Sequence, residues 1–181
     1  MRVIAGKWRG RPIAAPSGQG TRPTSDRTRE ALFSMLASRI GGFEGLRVAD
    51  VFAGTGALGI EALSRGAAEA TFVEQDRAAV ETLRANLARL DAKGDVRQQP
   101  VATLGPCQRP HDLLLFDPPY GSGGAGALLE RLTRLGWASP GAWASVETAR
   151  DEAVSAGGWT VEAERTHGKA RITLLRRNAE E

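Results

Sequence analysis

Apolar positions along the chain fall into two rhythms. Short runs of consecutive apolar residues mark strands buried on both faces. Between them lie stretches with apolar residues three and four apart, the mark of helices. From Leu46 onward the two alternate, predicting strand 46–52, helix 58–65, strand 70–74, helix 77–90 and a weak strand near 95–99. Residues 100–110, bounded by Pro100 and Pro110, predict a loop with at most one helical turn. Strand 112–116 is the most continuous run, Asp112-Leu113-Leu114-Leu115-Phe116, and helix 125–135 and strands 142–147, 159–165 and 170–176 follow it. The last two strands leave no room for a helix between them, so they are expected to pair antiparallel. This alternation predicts an α/β fold: a doubly wound, mostly parallel seven-stranded sheet with an antiparallel last strand, taking ligands at the strands' carboxyl ends.

The amino-terminal segment breaks the rhythm. Val3-Ile4-Ala5 and Pro12-Ile13-Ala14-Ala15 flank Gly6-Lys7-Trp8-Arg9-Gly10-Arg11, which fits two short strands around a glycine-flanked turn. Ser25 or Asp26 then caps a helix from about residue 27 to 39, with Ala31, Leu32, Met35, Leu36 and Ile40 as its apolar stripe and Gly41-Gly42 as its stop. The chain thus divides into a small basic β-hairpin extension (1–24), a main domain (25–177) and a tail (178–181) without pattern, read as disordered.

Composition sharpens this picture mainly at that extension. With 181 residues, 41% of them hydrophobic and 25% charged, the chain has enough apolar content for one ordinary core. The formal charge is only +3, but before Asp26 stand Arg2, Lys7, Arg9, Arg11 and Arg22 with no acidic residue. Such a local excess suits phosphate groups. Trp8 can add an aromatic face for a base, or simply pack on the main domain. The first turn of the helix offers Arg27 and Arg29, although its stripe marks it chiefly as packing. The candidate RNA-binding set is therefore Lys7, Trp8, Arg9, Arg11, Arg22 and Arg27. Cys107 is the sole cysteine, so no intramolecular disulfide can form and a reducing compartment is expected. No run is long enough to span a bilayer and the amino terminus lacks a secretion-signal core, which points to the cytoplasm. His111 and His167 are far apart in sequence, and no metal is expected.

Two motifs carry the chemistry. In Val48-Ala49-Asp50-Val51-Phe52-Ala53-Gly54-Thr55-Gly56-Ala57-Leu58-Gly59 a strand ends near an acid, turns on glycines and enters a helix. Glycines there let backbone N–H groups approach a ligand closely. Asp50 would repel a pyrophosphate but suits an amino-acid ammonium near a sulfonium, so the inferred ligand is S-adenosylmethionine. Glu74 closes the second strand, where a carboxylate accepts hydrogen bonds from ribose hydroxyls. The candidate cofactor-binding residues are Asp50, Phe52, Ala53, Gly54, Thr55, Gly56, Glu74, Gln75 and Asp117. The second motif, Asp117-Pro118-Pro119-Tyr120, follows the most buried predicted strand. An exocyclic amine on a base is a poor nucleophile because its lone pair is delocalised into the ring. The Asp117 carboxylate and Pro118 carbonyl can accept its two N–H groups and direct the lone pair, with Pro119 stiffening the turn. Tyr120 would stack on the ring, worth about 1–3 kcal/mol. The target base must leave its own stack to enter.

Taken together these blocks resemble the class I S-adenosylmethionine-dependent methyltransferases, and more closely the bacterial 16S ribosomal RNA guanine-N2 methyltransferase family, RsmD. The motif residues are shared with many methyltransferases. Arg2-Val3-Ile4-Ala5-Gly6-Lys7-Trp8-Arg9-Gly10-Arg11 and Arg22-Pro23-Thr24-Ser25-Asp26-Arg27-Thr28-Arg29-Glu30-Ala31-Leu32-Phe33 single out this family. The resemblance implies a Rossmann-like methyltransferase fold, cofactor contacts by Asp50, Gly54, Gly56 and Glu74, and amine activation by Asp117 with Pro118. It also implies RNA binding by Arg22 and the hairpin, and as substrate the N2 of guanine 966 in 16S rRNA, within a small-subunit particle. After the third strand such enzymes often carry Asp or Asn for the adenine amine; here the chain reads Gln99-Pro100-Val101-Ala102. The alternatives are a DNA adenine-N6 or cytosine-N4 methyltransferase, which usually needs a larger recognition region, a protein-glutamine methyltransferase, disfavoured by the basic amino terminus, and a non-catalytic RNA-binding assembly factor.

Overall fold

The computed structural model describes residues 1–15, 25–119, 121 and 123–179, and the chain divides into two units, Met1–Val101 and Ala102–Glu181. In the first unit α1 (Asp26–Ile40) precedes β1 (Arg47–Val51), α2 (Ala57–Ser64), β2 (Glu69–Glu74), α3 (Arg77–Arg89) and β3 (Asp95–Gln98). β2 lies between β1 and β3 and is parallel to both, with Asp50 opposite Phe72 and Glu74 opposite Gln98. A single 3₁₀ turn, Val101–Thr103, occupies part of the proline-bounded loop.

Local chemistry explains the helix ends. The Ser25 hydroxyl accepts the Thr28 N–H, and the chain leaves α1 through Gly41 at φ 85°, whose N–H donates to the Ala37 carbonyl. The buried stripe of α1 is Thr28, Arg29, Leu32, Phe33 and Leu36, rotated from the expected Ala31, Met35 and Ile40. Phe33 draws the helix round: its ring lies 5.3 Å from Phe43, with the Arg65 guanidinium 4.9 Å above it. In α3 the stripe is Val80, Leu83, Asn86 and Leu87, apolar except for one amide.

The expected pair of amino-terminal strands is corrected. Residues 1–13 close as a hairpin-like arm held by one antiparallel bridge, Arg2 to Pro12, with Val3 N–H to Arg11 O at 3.0 Å and Ile13 N–H to Met1 O at 2.9 Å. The intervening N–H groups of Ile4, Ala5, Lys7 and Trp8 are taken by α2, which leaves no ladder to form.

The second unit holds β4 (His111–Phe116), α4 (Ala125–Arg134), β5 (Ala138–Ala149), β6 (Trp159–His167) and β7 (Ala170–Arg177) in the strand order β4-β5-β7-β6. β4 and β5 are parallel; β7 is antiparallel to β5 and to β6. β5 is twice its expected length. Pro140 and Gly141 end the apolar run without ending the strand, and the register shift between His111 and Leu113 absorbs them. The tail is also more tied than expected, since Asn178 N–H donates to Gly158 O at 2.8 Å and Asn178 Oδ1 accepts from Thr160 at 2.6 Å. Among the described residues the strands make a seven-stranded mixed sheet, parallel except at its last strands.

Candidate active site

The glycine turn runs from the end of β1 into α2. Asp50 is 1% exposed, and its Oδ2 accepts the Gly59 N–H at 2.8 Å, which ties the end of the strand to the first turn of α2. A carboxylate there complements the positive end of the helix. Phe52 follows at φ 65°, a left-handed conformation that bulky side chains rarely adopt. Ala53 is buried and its N–H donates to Val73 O at 2.9 Å, extending the sheet contact two residues past the strand.

Gly54 and Gly56 do different work. Both have positive φ, 56° and 87°. A Cβ on Gly56 would stand 2.2 Å from Leu83 Cδ1, so this glycine exists for close packing. A Cβ on Gly54 would have nothing within 4 Å, so this glycine leaves open space in front of the turn. Its N–H donates to Glu74 Oε2 at 2.8 Å, while Glu74 Oε1 accepts the Asp76 N–H at 2.9 Å. Each oxygen of that carboxylate keeps acceptor capacity for a hydroxyl. Thr55 is buried, Glu74 half-buried, and the neighbouring Gln75 side chain is exposed.

Three polar residues that pattern analysis passed over hold this turn and the arm. Asn86, on α3, donates from Nδ2 to Thr55 O at 3.0 Å and to Ala14 O at 3.2 Å, and its Oδ1 accepts the Ala14 N–H at 2.9 Å. Glu61, on α2 and fully buried, accepts from Ile4 N–H at 2.9 Å, Ala5 N–H at 3.0 Å and Arg65 Nε at 2.9 Å. Ser64 accepts the Trp8 N–H at 3.1 Å and donates to Ala5 O at 2.6 Å. A polar residue on an otherwise apolar stripe was the available signal: Asn86 sits between Leu83 and Leu87, and Glu61 between Ile60 and Ala62.

The same contacts sort the candidate RNA-binding residues. Lys7, Arg9, Arg11 and Arg27 are exposed, and Arg11 Nη2 also donates to Arg89 O at 2.8 Å. Trp8 is 9% exposed and packs against the unit, with Lys7 Nζ 4.3 Å from its ring centroid. Arg29 is not an available cation. It is fully buried, pairs with Asp26 at 2.9 Å, lies 3.8 Å from Glu61, and donates to the Arg2 carbonyl. Arg22 lies outside the described residues.

In the second unit, Asp117, Pro118 and Pro119 follow directly on β4 at its carboxyl end. Asp117 is half-buried, Pro118 buried and Pro119 exposed; Tyr120 lies outside the described residues. Two successive prolines fix φ and offer carbonyls without N–H groups, so the backbone at these two positions presents acceptors only. Among the described residues no cluster of three or more His, Cys, Asp or Glu side chains could hold a metal ion, and no helix is long and apolar enough to cross a membrane.

Comparison with known proteins shows the family of the chain. A family model described as "Conserved hypothetical protein 95" matches residues 1–176. The chain is 38% identical, over 99% of its length and 91% of the relative's, to ribosomal RNA small subunit methyltransferase D of Escherichia coli (strain K12). It is 37% identical, over 93% of its length and 89% of the relative's, to the protein of that name from Haemophilus influenzae. The solved structure of yhhF from Escherichia coli superposes with a TM-score of 0.86 at 35% identity, covering 99% of both chains. With its Rossmann-like fold and both motifs at strand ends, the chain belongs to the RsmD family of methyltransferases.

Proposed function

We propose that the protein transfers the methyl group of S-adenosylmethionine to the exocyclic N2 of a guanine in 16S rRNA, guanine 966 by family resemblance, within a small-subunit particle. The observation that carries the reading is the Gly54 turn: open where a side chain would stand, and fixed by a carboxylate with acceptor capacity left over. These residues fit the cofactor. Glu74 would hold ribose hydroxyls, the Gly54 backbone would lie against the ligand, and Asp50 would supply negative charge toward its ammonium. When bound, the cofactor supplies an electrophilic methyl group on a sulfonium.

The remaining chemistry belongs to the chain. The Asp117 carboxylate and Pro118 carbonyl accept the two N–H groups of the guanine amine, hold the nitrogen pyramidal and aim its lone pair. Tyr120 stacks on the extruded base. The nitrogen becomes acidic as its bond to carbon forms, so one proton leaves without a strong base. Rate enhancement comes from orientation and a fixed electrostatic field. Lys7, Arg9, Arg11, Arg22 and Arg27 bind phosphates and fix the RNA in register.

The test is to incubate the protein with radiolabelled S-adenosylmethionine and small subunits lacking the modification, then to map the label by mass spectrometry. Label in N2-methylguanine at one position is the expected result. Label in an adenine or cytosine amine, or none at all, overturns the proposal.

A further inference from the structure

We infer that Asn86 is a positioning residue that fixes the glycine turn and the basic arm in one register, so that one side-chain amide serves both cofactor and RNA. The inference rests on the functions proposed above for those two segments. Asn86 is 1% exposed and stands on the buried stripe of α3, where packing alone would favour an apolar side chain. Both of its amide N–H groups are committed, one to Thr55 O at 3.0 Å and one to Ala14 O at 3.2 Å, and its carbonyl accepts the Ala14 N–H at 2.9 Å.

The two-point grip on Ala14 fixes the orientation of that peptide as well as its distance. The remaining bond holds the Thr55 peptide, between the open Gly54 and the packed Gly56. Glu61 and Ser64 also fasten the arm, but at Ile4, Ala5 and Trp8, and Arg11 reaches only Arg89 at the end of α3. None of these bonds touches the glycine turn. Asn86 joins the two segments through one rigid planar group, so a displacement of either disturbs the hydrogen bonds of the other.

The experiment compares wild type with Asn86→Asp, Asn86→Ser and Ser64→Ala. Binding of S-adenosylhomocysteine is followed by calorimetry and binding of unmodified 16S rRNA transcript by filter retention. Asn86→Asp keeps the shape but turns an oxygen toward two carbonyls; it should weaken both ligands by roughly tenfold, raising KM for each far more than it lowers kcat. Asn86→Ser should do the same to a smaller degree. Ser64→Ala should weaken RNA alone. A merely structural role would lower the unfolding temperature of the Asn86 variants and leave both dissociation constants unchanged, which would overturn the inference. Wild-type protein supplies a readout that needs no variant to fold. S-adenosylhomocysteine should slow amide hydrogen exchange around Ala14 as well as in the glycine turn, and an arm that does not respond also overturns it. Wild type that binds neither ligand would instead refute the proposed function.

Discussion

Glu74 Oε2 accepts the Gly54 N–H at 2.8 Å, so the residue that ends β2 holds in place the turn that follows β1. The carboxylate does this while its other oxygen accepts the Asp76 N–H at the start of α3. One acid therefore shapes the turn and, in the proposed function, meets the ribose. Glu74→Gln retains a single acceptor oxygen and cannot satisfy both backbone donors. Charge-assisted bonds of this kind are worth about 1.5–3 kcal/mol each, so S-adenosylhomocysteine affinity should fall by roughly tenfold to a hundredfold. Calorimetric titration of Glu74→Gln and Glu74→Ala checks this, and unchanged affinity in both would remove Glu74 from the site.

The two glycines of the turn predict opposite phenotypes. Gly56→Ala places Cβ 2.2 Å from Leu83 Cδ1 at φ 87°, so it should destabilise the fold by about 2–4 kcal/mol. Gly54→Ala, at φ 56° with open space around Cβ, should cost only about 1 kcal/mol of stability. It should nevertheless lose most cofactor affinity, because the methyl group stands where the proposed function puts the ligand. Denaturant unfolding and calorimetric binding on each variant separate the two effects.

Most of this was legible in the chain. Among the described residues the helices and most of the strands fall within a few residues of their expected places, because most carry a clear period and a glycine or proline stop; β3 was the weak one and β5 the one that ran on. The glycine turn was legible for the same reason, since few residue types tolerate positive φ. Phe52 shows the limit: at φ 65° it adopts a conformation its own side chain disfavours, and only the surrounding tertiary contacts can impose that. The arm failed differently. Val3-Ile4-Ala5 reads as strand on propensity alone, but the buried Glu61 claims the N–H groups of Ile4 and Ala5 and the buried Ser64 donates to the Ala5 carbonyl, and no local pattern encodes partners nearly sixty residues away. Arg29 was misplaced because a cation in a first turn normally faces solvent, and its burial follows from the distant Glu61.

Glu61 carries a third prediction. Its carboxylate is fully buried beside Arg29, itself fully buried, and Arg65. Removing it leaves a buried guanidinium short of compensation and two arm N–H groups without acceptors. Glu61→Ala should therefore lose about 3–5 kcal/mol of unfolding free energy. A loss below 1 kcal/mol in denaturant titration, the size expected for an exposed pair, would contradict the buried network.

Asp117 tests the chemistry apart from binding. With cofactor saturating, Asp117→Ala should reduce kcat by roughly 10²–10³, the cost of removing one preorganised electrostatic contact, and any loss of S-adenosylhomocysteine affinity from its expected cofactor contact is read separately by calorimetry. Asp117→Asn keeps one acceptor oxygen and should retain more activity than Ala. Single-turnover transfer to unmethylated small subunits measures the step directly. Equal rates for wild type and both variants would eliminate Asp117 as the residue that orients the amine.

The basic arm makes a prediction in salt. Arg9 is exposed, and the proposed function gives its guanidinium one phosphate. Releasing that contact frees one fewer counterion, so Arg9→Gln should flatten the slope of log K against log salt concentration by about 0.7–0.9, with affinity falling most at low salt. Trp8→Leu should behave otherwise. Its indole is buried, so the variant should lower the unfolding temperature and leave the salt slope alone, since no charge is removed. Filter binding of unmodified 16S rRNA at several salt concentrations distinguishes the two. A slope unchanged in Arg9→Gln would take this cation out of the RNA interface, and an RNA affinity lost in a Trp8→Leu protein of undiminished stability would return the indole to it.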